Sequence, residues 1–122
     1  MVLDKVLSQI SSDDLAIHVI WTPVLPSDKR SSVDRAHKLF SKESRATQYW
    51  DGEQDLGKAY GKILELPNGR ELAWDIYFVF AAGVEWNDTP PIPDDWQHQL
   101  GRDERSLDGD KLRESIISIM KQ

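Results

Sequence analysis

Ile76-Tyr77-Phe78-Val79-Phe80-Ala81-Ala82 is the longest apolar stretch of the chain, and it restricts the fold more than any other segment. It is rich in β-branched and aromatic residues and stops at Gly83, which favours a strand over a helix. A strand that is apolar at nearly every position has no face to give to water, so other layers must cover it on both sides. We therefore read Leu72 to Ala82 as the central strand. Gly83 turns the chain into a short antiparallel partner around Val84-Glu85-Trp86. The stretch is far too short to span a bilayer.

The remaining periodicities surround that strand. Leu3, Val6, Leu7 and Ile10 mark one face of a short helix, broken by Ser11-Ser12-Asp13-Asp14. Ala16 to Val24 reads as a buried strand. Ser27-Asp28 can cap a helix whose apolar face carries Val33, Ala36, His37 and Phe40. Arg45 to Asp51 is a second strand, closed by Asp51-Gly52. Leu56, Ala59, Tyr60, Ile63 and Leu64 form a helical stripe that Pro67-Asn68-Gly69 terminates. Gly57 and Gly61 inside that helix each cost about 1 kcal/mol against alanine, so the spacing predicts a close contact with the sheet. Asn87 to Arg105 reads as a long irregular loop holding Pro90, Pro91 and Pro93, anchored by Trp96 and Leu100. Trp86 and Trp96 are both expected to pack onto the domain. A last helix runs from Asp108 or Asp110 to Gln122 and buries Leu112, Ile116, Ile119 and Met120. With 122 residues, the chain suits one domain, 1–122.

The order helix, strand, helix, strand, helix, strand, strand, helix resembles the thioredoxin-like fold: a three-layer α/β/α sandwich whose mixed sheet ends in a β-hairpin and a C-terminal helix. Trp21-Thr22-Pro23-Val24-Leu25 is similar in position to the Trp-Cys-x-x-Cys segment of thioredoxins, with Thr22 and Leu25 where the cysteines would stand. The stretch Glu71-Leu72-Ala73-Trp74-Asp75 lacks the proline that thioredoxins carry there. The chain also resembles bacterial thioredoxin-like proteins with Trp-Thr-Pro, Tyr-Trp-Asp, Ala-Trp-Asp and Trp-x-His-Gln-Leu segments. The resemblance implies a frame without its usual chemistry, because the chain has no cysteine. Thiol–disulfide exchange, peroxiredoxin chemistry, disulfides and thiolate metal sites are excluded.

A net charge of −6 argues against nucleic acid, since the one basic cluster, Lys29-Arg30 with Arg35 and Lys38, is broken by Asp28 and Asp34. The N-terminus carries Asp4 and Lys5 in place of a signal-peptide apolar run, so the reading is a cytoplasmic protein without a membrane partner. Phosphate-loop, dinucleotide and Gly-x-Ser-x-Gly motifs are absent, and His18, His37 and His98 lack ligand spacing, so no cofactor or metal is expected.

Two Trp-Asp pairs carry the site reading. Trp50-Asp51 closes the second strand and Trp74-Asp75 opens the third. With Trp21 and Thr22 they are expected to line one cleft at the rim of the sheet, where ligands of α/β proteins bind. The competing reading has the tryptophans plugging the core end while the aspartates cap turns or helices. His98, on the long loop, can fold back over that cleft. Asp75, if buried, must be paired with Arg30, Arg35 or Arg70, or else protonated. The function expected first is a binding or interaction module for a peptide, a protein or a small polar ligand. The alternative is a small enzyme using Asp51, Asp75 and His98 for acid–base chemistry. A homodimer built on an edge strand or the 87–105 loop is a third.

Overall fold

The computed structural model describes residues 5–24 and 36–122. Readings that involve Leu3, Leu25, the Ser27-Asp28 cap, Lys29, Arg30, Val33 and Arg35 lie outside them. The order is a 3-10 turn at Leu7–Gln9, β1 (Ile17–Trp21), a 3-10 turn at His37–Phe40, β2 (Ala46–Trp50), α1 (Asp55–Ile63), a 3-10 turn at Pro67–Gly69, β3 (Ile76–Val79), β4 (Asp95–His98) and α2 (Gly109–Met120). The protein is a mixed α/β structure. No described helix is long and apolar enough to cross a membrane.

β1 and β2 pair in parallel, with Ile17 opposite Ala46 and Trp21 opposite Trp50. The pair is half-buried and not fully covered. Ile17, Val19, Trp21, Ala46, Gln48 and Trp50 turn inward, while His18, Ile20, Thr47 and Tyr49 alternate outward. Parallel strands normally carry cover on both faces, so this open face corrects the expectation of a buried first strand.

β3 pairs antiparallel with β4, Ile76 opposite His98 and Val79 opposite Asp95. The hairpin is therefore real, but its second strand is Asp95–His98 and not Val84-Glu85-Trp86, which forms no strand. The irregular stretch is correspondingly shorter. Among the described residues no ladder joins β1 to β3, so the expected single mixed sheet is instead two two-stranded sheets.

The covering of β3 follows from its sequence. Tyr77 and Val79 pack with Leu112 and Ile116 of α2 and with Val6 and Ile10. Phe78 and Phe80 pack on the other side with Tyr60 of α1, Leu66, Ala73 and Trp96. Period-two alternation thus feeds two apolar clusters, one per face. The Tyr60 and Phe78 rings lie 4.5 Å apart. In α2, Leu112 and Ile116 are buried and Ile119 is partly buried, whereas Met120 is exposed. Asp108 is the N-cap of α2, its Oδ1 accepting the amides of Asp110 and Lys111 at 3.0 and 3.2 Å, an arrangement worth about 1 kcal/mol.

The two helical glycines mark a close approach, but to the 71–73 segment before β3 and not to a strand. A Cβ on Gly61 would stand 1.7 Å from the Glu71 carbonyl oxygen, and one on Gly57 would stand 2.8 Å from that of Ala73. The Ala73 amide donates to the Gly57 carbonyl at 2.9 Å, locking the segment onto α1. Arg45 performs a similar task for the segment that precedes β1. Its Nη1 donates to the carbonyls of Ile10 (2.5 Å) and Ser12 (2.9 Å), its Nη2 donates to that of Leu7 (3.0 Å), and Glu43 balances the charge.

Candidate functional site

The ends of β1 and β2 are tied together by the residues that the Trp-Asp reading singles out. The Asp51 amide donates to the Trp21 carbonyl at 2.8 Å, and the Thr22 hydroxyl donates to the Asp51 carbonyl at 3.2 Å. The Asp51 carboxylate accepts the amides of Asp55 and Leu56, at 3.0 and 2.9 Å, one on each oxygen. It therefore caps α1 from four residues upstream, because Gln54, the residue before the helix, adopts a left-handed conformation (φ 63°) and offers no side-chain cap. The Trp21 indole donates to Gln48 Oε1 at 2.9 Å and meets Phe40 edge-on. Trp50 covers Gly52, where a Cβ would approach its indole nitrogen to 2.9 Å.

Trp74 and Asp75 lie before β3, in the other sheet. Among the described residues no hydrogen bond or ring contact joins them to Trp21, Thr22, Trp50 or Asp51. Asp75 is exposed and adopts a left-handed backbone (φ 52°), and its carbonyl accepts the Gln99 amide at 2.9 Å. No described arginine or lysine forms an ion pair with it. Partial burial raises its carboxyl above the ordinary 3.8. Tyr77, two residues on, is also raised, first by burial and then by the Asp75 charge; its hydroxyl donates to Gln99 Oε1 at 2.6 Å.

His98 corrects the expectation of a loop residue folding back over a cleft. It sits on β4, is 0 % exposed and has both ring nitrogens occupied. The Leu100 amide donates to Nδ1 at 3.1 Å, which leaves the proton on Nε2, donated to Asp103 Oδ1 at 2.9 Å. Asp103 Oδ1 also accepts the Arg105 amide at 2.8 Å, and Ser106 Oγ accepts the Asp103 amide at the same length. The Arg105 amide, foremost, and His98 hold the Asp103 carboxyl below 3.8. These bonds build a turn over a buried imidazole. His98 has no free nitrogen for a substrate, and both Asp51 oxygens are engaged by α1, so the geometry brings no acid–base pair together from Asp51, Asp75 and His98.

The hollow that does open near the predicted rim has a different lining. Ile20, Tyr49, Asp51, Asp55, Leu56 and Trp86 surround an open, mostly apolar groove of about 340 Å3. It lies at the C-terminal ends of the parallel pair, beside the start of α1. Asp51 belongs to it; Trp21, Thr22, Trp50, Trp74, Asp75 and His98 do not line it. Ile20 and Tyr49 are register partners, 37 % and 46 % exposed. Trp96 is buried as expected, but Trp86 is 51 % exposed, meeting the buried Tyr60 edge-on at 5.9 Å. The Tyr60 hydroxyl donates to the Pro91 carbonyl at 2.8 Å, so the proline-rich segment and Trp86 share one anchor. The sequence signal for this groove was the outward half of the β1 and β2 alternation, masked in β1 by Ile and Val at consecutive positions.

Among the described residues no group of three histidine, aspartate or glutamate side chains is placed to hold a metal ion. No protein-family model matches the chain, and no curated protein or solved structure matches it either.

Proposed function

We propose that this chain is a non-redox binding module on a thioredoxin-like frame, recruiting a peptide or protein segment at the groove lined by Ile20, Tyr49, Leu56 and Trp86. The frame is supported by the order of a parallel pair, a helix, an antiparallel pair and a closing helix. β1 and β3 lie in separate sheets among the described residues, so the frame reading rests on the order and direction of the elements. The observation that carries the binding reading is the half-exposed Trp86, held on Tyr60 and facing a groove at the carboxyl ends of parallel strands, where ligands of α/β proteins gather. A large aromatic ring left in water beside other exposed apolar side chains marks an interaction surface. The mostly apolar lining favours a peptide over a small polar ligand.

The test uses the indole N–H resonances of the five tryptophans in a 15N-labelled sample screened against a fragment library. Binding fragments should shift the Trp86 indole resonance most and the backbone amides of Ile20, Tyr49 and Leu56 with it, and Trp86→Ala should abolish those amide shifts. Hits that instead move Trp74 or Trp96, or that survive Trp86→Ala, would remove the groove from consideration.

A further inference from the structure

The lining of this groove bears on the partner's charge through Asp51 and Asp55. Asp51, Glu53 and Asp55 enter α1 within one short stretch, and Glu85 and Asp88 flank Trp86. Asp51 is consumed by the α1 amides. Glu53, Asp55, Glu85 and Asp88 are all exposed, and none forms an ion pair among the described residues. Lys58 is the one cation close in sequence to the helix start, and the whole chain carries −6. Asp55, an exposed carboxylate without an ion pair among the described residues, beside an apolar floor on a chain of net charge −6, attracts cations over the Debye length and repels acidic segments on approach. Exposed Trp86 and Tyr49 add ring surfaces on which an ammonium or guanidinium group is favourably placed.

We infer that the groove takes a basic apolar peptide segment, its aliphatic or aromatic side chain seated on Ile20, Tyr49, Leu56 and Trp86 and its Lys or Arg head held by Asp55. This inference rests on the groove reading above and adds the class of partner. A second copy of the chain is a poor occupant, because it would set Asp55 against Asp55 between two chains of net charge −6.

The experiment is selection of a displayed random peptide library on the full chain, with counter-selection on Trp86→Ala. Peptides that depend on Trp86 should be enriched in Lys or Arg beside Leu, Ile, Phe or Trp. A synthetic copy of the best one should bind about tenfold more weakly to Asp55→Lys and about tenfold more weakly in 0.5 M salt. Glu85→Lys, on an exposed loop clear of the helix start, repeats the charge reversal should Asp55→Lys disturb α1. Trp86-dependent peptides that are neutral or acidic would overturn the charge selectivity and leave the groove standing. Recovery of no Trp86-dependent peptide would overturn both readings. A dimer seen by light scattering and abolished by Trp86→Ala would assign the groove to a second copy and overturn the basic partner.

Discussion

Gly61→Ala is the substitution whose outcome the structure constrains most tightly. The added methyl would lie 1.7 Å from the Glu71 carbonyl oxygen, 2.4 Å from its carbon and 3.2 Å from the Leu72 amide nitrogen. Ordinary contact requires the 71–73 segment and α1 to separate by roughly 1.5 Å. The obstacle is main chain, which cannot rotate aside as a side-chain tip does. It is also bonded to the same helix through the Gly57 carbonyl. Overpacking of this kind costs about 1–3 kcal/mol and occasionally more, and the upper end applies because backbone must move. The gain in helix propensity returns about 1 kcal/mol. The net expectation is a loss of about 2 kcal/mol, or a fall in Tm of about 6–10 °C for a domain of this size. Thermal and urea unfolding followed by circular dichroism would measure it. Gly69→Ala is the comparison: nothing lies within 4 Å of its Cβ position, but its φ of +68° costs an L-residue about 1–2 kcal/mol through strain alone. The two variants differ in mechanism, a main-chain clash at Gly61 and backbone strain with no neighbour within 4 Å at Gly69. If Gly61→Ala melts at or above the parent temperature, α1 does not lie on the 71–73 segment, and the second apolar cluster is wrongly assembled.

Two further outcomes follow from individual polar groups. Arg45→Lys keeps the charge but loses the fork that serves the carbonyls of Leu7, Ile10 and Ser12; it should cost about 1–3 kcal/mol, and an unchanged urea midpoint would refute the staple. The carboxyls of Asp75 and Asp103 should respond to pH in opposite directions. Asp75 titrates above 3.8 in the folded protein, so ionising it costs stability as pH rises through that window; Asp75→Asn should raise Tm at pH 7, with a gain that shrinks toward pH 3. Asp103 titrates below 3.8, so its contribution is present above that value and lost as pH falls through the folded one. Asp103→Asn should therefore lower Tm at pH 7 and converge with the parent in acid. Parallel pH profiles for both variants and parent would contradict the assigned causes.

Much of the frame was legible in the residues because local pattern and burial agree there. Phe78 and Phe80 alternate with Tyr77 and Val79; Val79 is buried and the other three are partly buried, and the two sets feed opposite faces. The Gly57 and Gly61 pair announced a close contact, and Asp108-Gly109-Asp110 announced a helix start. The partner of β3 was not legible. Val84-Glu85-Trp86 has stronger strand propensity than Asp95-Trp96-Gln97-His98, yet the latter pairs. Burial of Gln97 and His98 is paid for by partners that composition does not reveal: Gln97 Oε1 accepts the Asp108 amide, and His98 is held by Leu100 and Asp103. Of the candidate site, Asp51 was found for its position, and its task as a helix cap is the one the competing reading gave it; Trp86 was expected to pack. Whether a tryptophan meets solvent depends on how much surface its neighbours leave, a long-range property that no local window contains.

The Arg45 staple has a consequence for synthesis. Its partners at Leu7 and Ile10 precede it by 38 and 35 residues. A nascent polypeptide therefore exposes that early turn outside the ribosome with the Leu7 carbonyl held only by the local Ile10 amide, and without the guanidinium that ties Leu7, Ile10 and Ser12 together, until the arginine emerges. Closure of the amino-terminal segment is timed by the arrival of β2, and a translational pause before residue 45 would hold it open to proteases and chaperones.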